Sequence, residues 1–417
     1  MKRQAREAGR ALDGVQLAVP SADAIFDIKF CPFLPKDAPP IFAFTSGQNI
    51  FVARISPDPE SSCVFSVLDA IEDIDDGRNT KTMGTDSYQC HNSLAWIRDT
   101  RTGNPLLLFT GTGPKIHVYD VVDRRYVRTL TGHGSGIQEI VPHPTVPSVF
   151  ATCSDDNEVR LWNLDSNFED SWCAIICHGE FGHTSTIYSI DFTKNGRYLM
   201  SGGRDTWMHL WALPAAEDLV QLPKEKVKSE RIHYPHFSSA DVHNDIVDCI
   251  RFYGDLIISR SVGFKITIWA IDGFNSEDPI PDPPTKRKPG QLTTSAFGAG
   301  FTVLHTLDFL GGTAMSYYYH RFSIFTGPDS VILAMGVLGK HTLHFWDLLK
   351  LELDVPNTRT LDGDLLGALQ PDESFSPALD KDARKKNMAL FRALDWSPDG
   401  KWLVAVYDAA TLLVCWR

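Results

Sequence analysis

A chain of 417 residues, 43% of them hydrophobic, can bury a large core and reads as an ordinary globular protein of two or three domains or one large β architecture. Forty basic against 52 acidic residues leave a net charge of −12, which argues against nucleic-acid backbone as the main partner, because that task needs a basic surface. No stretch approaches the roughly 18 apolar residues of a membrane span, and the eight cysteines include no CxxC pair of the kind a zinc site needs.

Residues 1–21 start basic, lack a signal-peptide apolar run, and read as an N-terminal tail in which "VQLAVP" is a candidate ring-closing strand. Cytosol or nucleus is the resulting expectation. From residue 22 to 417 one strand ending recurs: "IFVAR" at 50, "IHVYD" at 116, "VRLWN" at 159, "MHLWA" at 208, "ITIWA" at 266, "LHFWD" at 343 and "LVCWR" at 413. Each is preceded by an alternating or apolar segment and a turn, the mark of a repeated four-stranded unit rather than of helices.

Between the repeats lie insertions rich in proline, glycine and charge, near 69–87 and from 217, 275 and 362, which predict exposed connections. "KRKP" at 286 and "RKK" at 384 read as nuclear-import signals or as solvated loop lysines. Cys173, Cys177 and His178 are the nearest thing to a metal cluster, and "CAIICH" reads more simply as a buried β run.

The repeat resembles the WD40 family, which implies an all-β fold, a seven-bladed WD40 β-propeller with long inter-blade and inter-strand insertions. Two copies carry the full motif: His133, Thr152, Asp156 and Trp162, then His183, Ser201, Asp205 and Trp211, with the hydroxyl ten and the aspartate six residues before the tryptophan. By that resemblance the four side chains form a structural tetrad, histidine bridging aspartate and hydroxyl while the hydroxyl meets the indole N–H. A hydrolase reading of His, Asp and Ser fits poorly: the set recurs at matched spacing, no GxSxG elbow accompanies it, and the tryptophan accounts for the hydroxyl.

Residues 229–271, with "IHYPHFS", "DVH", "VDCIRF" and "GDLIIS", are similar almost position by position to the inserted segment and fifth blade of the EED/Extra sex combs family. "AIFDIKF" and "YYYHRFSIF" extend the resemblance over most of the chain. The resemblance implies the nuclear propeller subunit of Polycomb repressive complex 2, a non-enzymatic scaffold without cofactor or metal. It would read trimethyl-lysine on the histone H3 tail and stimulate the enzyme allosterically. Implied partners are a SET-domain histone methyltransferase subunit, docked helix in groove, a zinc-finger Polycomb subunit and the methylated H3 peptide. Neither a membrane nor sequence-specific nucleic-acid binding is implied.

Carried across residue by residue, the aromatic cage falls on Phe26, Tyr318 and Tyr319. The remaining aromatic falls on Tyr88, eight residues before Trp96, because the family's own place four residues before that tryptophan holds Asn92. Arg321 matches an arginine below the cage, and Asp408 is a candidate rim carboxylate. Without the resemblance, Phe26 beside Ile25 and Ile28 reads as core and the tyrosines as rim cover. The rivals are a WD40 adaptor without ligand recognition and a propeller enzyme.

Overall fold

The computed structural model describes residues 13–18, 24–35, 37–56, 65–72, 90–164, 173–179, 181–221, 230–262, 265–308, 319–336, 342–353, 373–375, 391–407 and 411–416. These form seven sheets of four or five strands, arranged as an all-β propeller. In the first sheet Ile28–Phe30, Ile41–Ser46, Asn49–Ile55 and Phe65–Glu72 follow one another as an antiparallel meander. The later sheets open with inner strands His91–Arg98, Ile137–Pro142, Ile187–Phe192, Val247–Tyr253, Ser323–Thr326 and Phe391–Trp396.

Strands such as Val149–Ser154 and Tyr198–Gly203 are buried along their whole length, because another sheet covers each face. That is why they read as near-continuous apolar runs instead of alternating ones. Seven apolar clusters fill the spaces between sheets, each shared by two sheets that follow one another in sequence, and one joins the seventh to the first through Ile28, Phe42, Val404 and Val406. The tryptophans of the repeated endings, Trp162, Trp211, Trp269 and Trp346, are all buried in them.

Asp13–Ala18 lies antiparallel along Thr411–Trp416, from Asp13 opposite Trp416 to Ala18 opposite Thr411. The strand earliest in the chain thus covers the edge that the last one would otherwise expose.

The insertion from 275 to 290 is the exposed connection that its composition predicts, whereas others carry regular structure. Phe65–Glu72 continues as a strand past Asp69, where the sequence predicts a loop. The segment from 217 holds the short helix Ala216–Gln221, and then Glu230–Ile232, which joins the third sheet parallel to Cys173–Cys177. Phe237–Ser239 and Thr293–Ser295 add successive edge strands to the fourth sheet. Unpaired backbone groups at a sheet edge favour such additions even where side chains are polar. In "KRKP", Lys286 and Lys288 are exposed. Arg287 instead lies over Trp207 at 4.0 Å and Phe181 at 5.3 Å, a packed cation rather than a solvated one.

Candidate functional site

The inner strands begin alike: "IFDIKF" from 25, "HNSLAW" from 91, "IQEIVP" from 137, "IYSIDF" from 187, "VDCIRF" from 247 and "FRALDW" from 391. In five of them the ladder slips by one residue just after the start, leaving Asn92, Gln138, Tyr188, Asp248 and Arg392 as bulge residues. A bulge bends its strand and re-aims the side chain. Phe26 holds the matching place in the first sheet, where its N–H and that of Asp27 donate to Thr45 Oγ1 at 3.0 and 3.1 Å.

Two of the re-aimed side chains, Gln138 and Tyr188, meet Tyr319, which leads into the sixth sheet with a backbone φ of 56°, a left-handed conformation that costs a non-glycine residue roughly 1 kcal/mol. Its ring lies 5.9 Å from that of Phe26 at an interplanar angle of 76°, and 5.8 Å from that of Tyr188 at 89°. The Tyr319 hydroxyl donates to Gln138 Oε1, and Gln138 Nε2 donates to Asp155 Oδ1 at 2.7 Å. Burial pushes the Tyr319 phenol above its ordinary value, so it stays a neutral donor. Phe26 is half-buried and stands apart from the apolar cluster that takes its neighbours Ile25 and Ile28. The Arg392 guanidinium lies 5.3 Å from its ring centroid.

One residue further along, the inner strands bind each other around the ring. The Leu94 N–H donates to Asp27 Oδ2 at 3.0 Å, Ile140 N–H to Ser93 Oγ at 3.1 Å, Ile190 N–H to Glu139 Oε2 at 2.9 Å and Ile250 N–H to Ser189 Oγ at 3.0 Å. Arg321 spans this tier: Nη1 is 3.4 Å from Asp27 Oδ2 and 3.8 Å from Glu139 Oε1, and Nη2 donates to the Gln138 carbonyl at 3.0 Å. Burial opposes ionisation of Glu139, but Arg251, Arg321 and the Ile190 and Ser189 donors outweigh it and bring its carboxyl down to about 2. The tier below is ionised less readily: burial raises Asp191 to about 6 despite Arg251 and the Phe252 N–H.

The tetrads lie where the inner strands begin. His133 Nδ1 meets Asp156 Oδ2 at 2.8 Å and Nε2 meets Thr152 Oγ1 at 2.7 Å, while Trp162 Nε1–H donates to the same Oγ1 at 2.8 Å. In the next sheet His183 meets Asp205 at 3.0 Å and Ser201 Oγ at 2.8 Å, with Trp211 Nε1–H donating to Ser201 at 2.9 Å. Both hydroxyls are fully enclosed and occupied, so neither is presented to a substrate. Sequence reasoning missed a third, partial copy: His243 Nε2 meets Ser259 Oγ at 2.7 Å and Trp269 donates to it at 2.9 Å, while Gly263 stands in the aspartate's place six residues before the tryptophan. Its signal was the same ten-residue step from hydroxyl to tryptophan.

Of the residues singled out in sequence, Phe26, Tyr319 and Arg321 come together at one mouth, whereas Tyr88, Tyr318 and Asp408 lie outside the described residues. Asn92 is a buried amide that accepts from the Cys90 thiol at 3.5 Å. Tyr188, Gln138 and Asp155 were missed. Aligning "IYSIDF" with "IFDIKF" sets Tyr188 in the place of Phe26. Among the described residues no group of three or more His, Cys, Asp or Glu side chains is arranged to hold a metal ion.

Fold and mouth together define a WD40 β-propeller with aromatic rings gathered from separate sheets at the start of its inner strands. The WD domain, G-beta repeat model matches residues 124–163 and 176–212. The chain is 35% identical to "Polycomb protein EED" of Chaetomium thermophilum over 78% of this chain and 56% of that protein. It is 30% identical to "Polycomb protein esc" of Drosophila melanogaster over 59% and 56%. The chain therefore spans a little over half the length of these curated relatives. Among solved structures, a Chaetomium thermophilum Polycomb Repressive Complex 2 bound to GSK126 contains a chain 28% identical, with a TM-score of 0.82 and coverage of 98% of this chain and 99% of that one. Another, described as ctPRC2 in complex with H3K27me3 and H3K27M, matches at 26% identity and a TM-score of 0.83, covering 98% of each chain. In sequence and in fold the chain is thus similar to the EED and esc Polycomb proteins and to the propeller chain of Polycomb Repressive Complex 2.

Proposed function

We propose that the protein is a non-catalytic scaffold of a nuclear Polycomb histone methyltransferase complex and that it reads trimethyl-lysine on the histone H3 tail. The observation that carries this reading is the edge-to-face pair of Phe26 and Tyr319, contributed by the first and sixth sheets to one mouth. A quaternary ammonium has no N–H to satisfy and keeps its charge on an apolar surface, so ring faces bind it by cation–π attraction and dispersion. Tyr318 beside Tyr319, and Tyr88, complete the proposed cage, with Asp408 at its rim. Arg321 lies beneath as a neutralised floor, its charge met by Asp27 and Glu139.

The seven sheets and their seven shared cores support a closed seven-bladed ring for residues 22–417, with the segment before it supplying the strand that pairs with Thr411–Trp416. The fully enclosed tetrad hydroxyls support a staple rather than a catalyst. Grooves away from the mouth would receive a helical segment of the SET-domain subunit, with a zinc-finger Polycomb subunit as a further partner. A tail bound at the mouth would favour the enzyme's active form, and the enzyme's state would alter tail affinity by the same factor.

Calorimetric titration with trimethylated and unmethylated H3 peptides tests the reading. Tighter binding of the trimethylated peptide is expected. Equal, negligible binding of both would leave a WD40 adaptor without ligand recognition.

A further inference from the structure

A cage for a methylated ammonium needs ring faces on several sides, each within about 6 Å of the cation. In the second sheet the bulge position offers no ring: Asn92 is a buried amide engaged with Cys90. The fourth sheet does offer one. Tyr188 stands at 89° to Tyr319 with centroids 5.8 Å apart, close to the relation that Phe26 bears to the same tyrosine, 76° and 5.9 Å. Two rings at near right angles to a third are the walls of a box. They come from the first, fourth and sixth sheets in chain order, which sets them around the axis rather than along one side of it.

We propose that Tyr188 is a wall of the methylammonium cage, supplied by the fourth sheet, and that it sets the preference for the fully methylated lysine. The proposal rests on the methyl-lysine reading above and adds to it a residue and a direction of approach. Its bulge is what makes the placement possible: the ladder slips between Ile187 and Ser189, so Tyr188 leaves the pleat while Ile187 and Ile190 remain in the core. Tyr319 is fixed between the two flanking rings by its hydrogen bond to Gln138, which Asp155 holds in turn. Asp155 is exposed and brings a carboxylate to the mouth, a field that favours any cation. A third ring face then separates trimethylated from unmethylated lysine, because only the methylated head gains dispersion from it while losing little hydration.

The test titrates trimethylated and unmethylated H3 peptides into the wild type, Tyr188→Leu, Tyr188→Phe and Tyr319→Ala, and follows the N-methyl proton resonance of the bound peptide. Tyr188→Leu is expected to weaken trimethyl-lysine binding by about fivefold or more, to narrow the trimethylated-to-unmethylated ratio and to reduce the upfield ring-current shift, whereas Tyr188→Phe keeps all three near wild type. Wild-type binding, ratio and ring-current shift in Tyr188→Leu, with binding lost in Tyr319→Ala, would overturn Tyr188 as a wall and leave the reader intact. Loss of binding in Tyr188→Phe would likewise overturn it, since the ring face is preserved there. A wild type that binds both peptides equally would overturn the reader itself, and this proposal with it.

Discussion

Arg321 Nη1 lies 3.4 Å from Asp27 Oδ2, an ion pair that ties the sixth sheet to the first just inside the rings of Tyr319 and Phe26. Both side chains are almost wholly buried, so the pair is held by geometry and by the further contacts of Arg321 with Glu139 and the Gln138 carbonyl. The opening is thereby backed by a fixed, charge-balanced layer, not by loose side chains.

Removing the cation from this layer should be costly. Arg321→Met leaves Asp27 to Lys29 and Glu139 to Arg251 as their remaining cations and is expected to lower unfolding stability by about 1–3 kcal/mol, measured by urea denaturation at neutral pH. A loss below about 1 kcal/mol would mean that Lys29 and Arg251 balance the two carboxylates without Arg321.

The third staple offers a sharper test of the repeat. Ser259→Ala leaves the His243 and Trp269 ring nitrogens without their shared partner inside the fifth sheet and should cost about 1–3 kcal/mol. Trp346 is the natural control: Gly336 stands ten residues before it, and the indole N–H has no hydrogen-bond partner among the described residues.

Much of this architecture was legible because it repeats. Strand endings recur with a tryptophan whose hydroxyl partner lies at a set distance, and periodicity survives insertion. The mouth was legible only in part. Phe26 next to two isoleucines looks like core, but it lies just before the ladder that starts at Ile28, its N–H bound to Thr45 Oγ1, and outside the cluster that takes Ile25 and Ile28; elsewhere a slip of one residue leaves no mark on composition. Tyr188 escaped notice for the same reason. The edge strands Glu230–Ile232 and Thr293–Ser295 were hidden by polar side chains, since backbone pairing alone recruits them.

Two half-buried carboxylates, Asp156 and Asp191, should pull the pH profile in opposite directions. Burial opposes the Asp156 charge, yet His133 and the Gly134 and Glu158 N–H groups outweigh it and bring the carboxyl from 3.8 to about 2. Its contribution of about 2 kcal/mol is therefore present above pH 4 and lost as pH falls towards 2. Asp156→Asn should flatten that acid limb. Asp191, raised by burial to about 6, works the other way: its contribution is present below pH 4 and lost as pH rises through 6. Asp191→Asn should then be more stable than wild type above pH 6 and nearly equal to it at pH 4. Thermal melts between pH 2 and 8 check both signs.

Deleting residues 1–18 removes the strand that covers Thr411–Trp416. The exposed edge is expected to lower the melting temperature and to promote association detectable by light scattering. An unchanged, monomeric protein would show that the pairing is dispensable.

The most direct test of the central claim is the affinity of a trimethyl-lysine H3 peptide for Tyr319→Ala compared with wild type, measured by calorimetry alongside a check that assembly with the methyltransferase subunit is retained. Removal of this ring, which borders both Phe26 and Tyr188, is expected to weaken binding by ~1–2 kcal/mol or more. A Tyr319→Ala protein that binds the methylated tail as tightly as wild type would contradict the assignment of this mouth as the reader site.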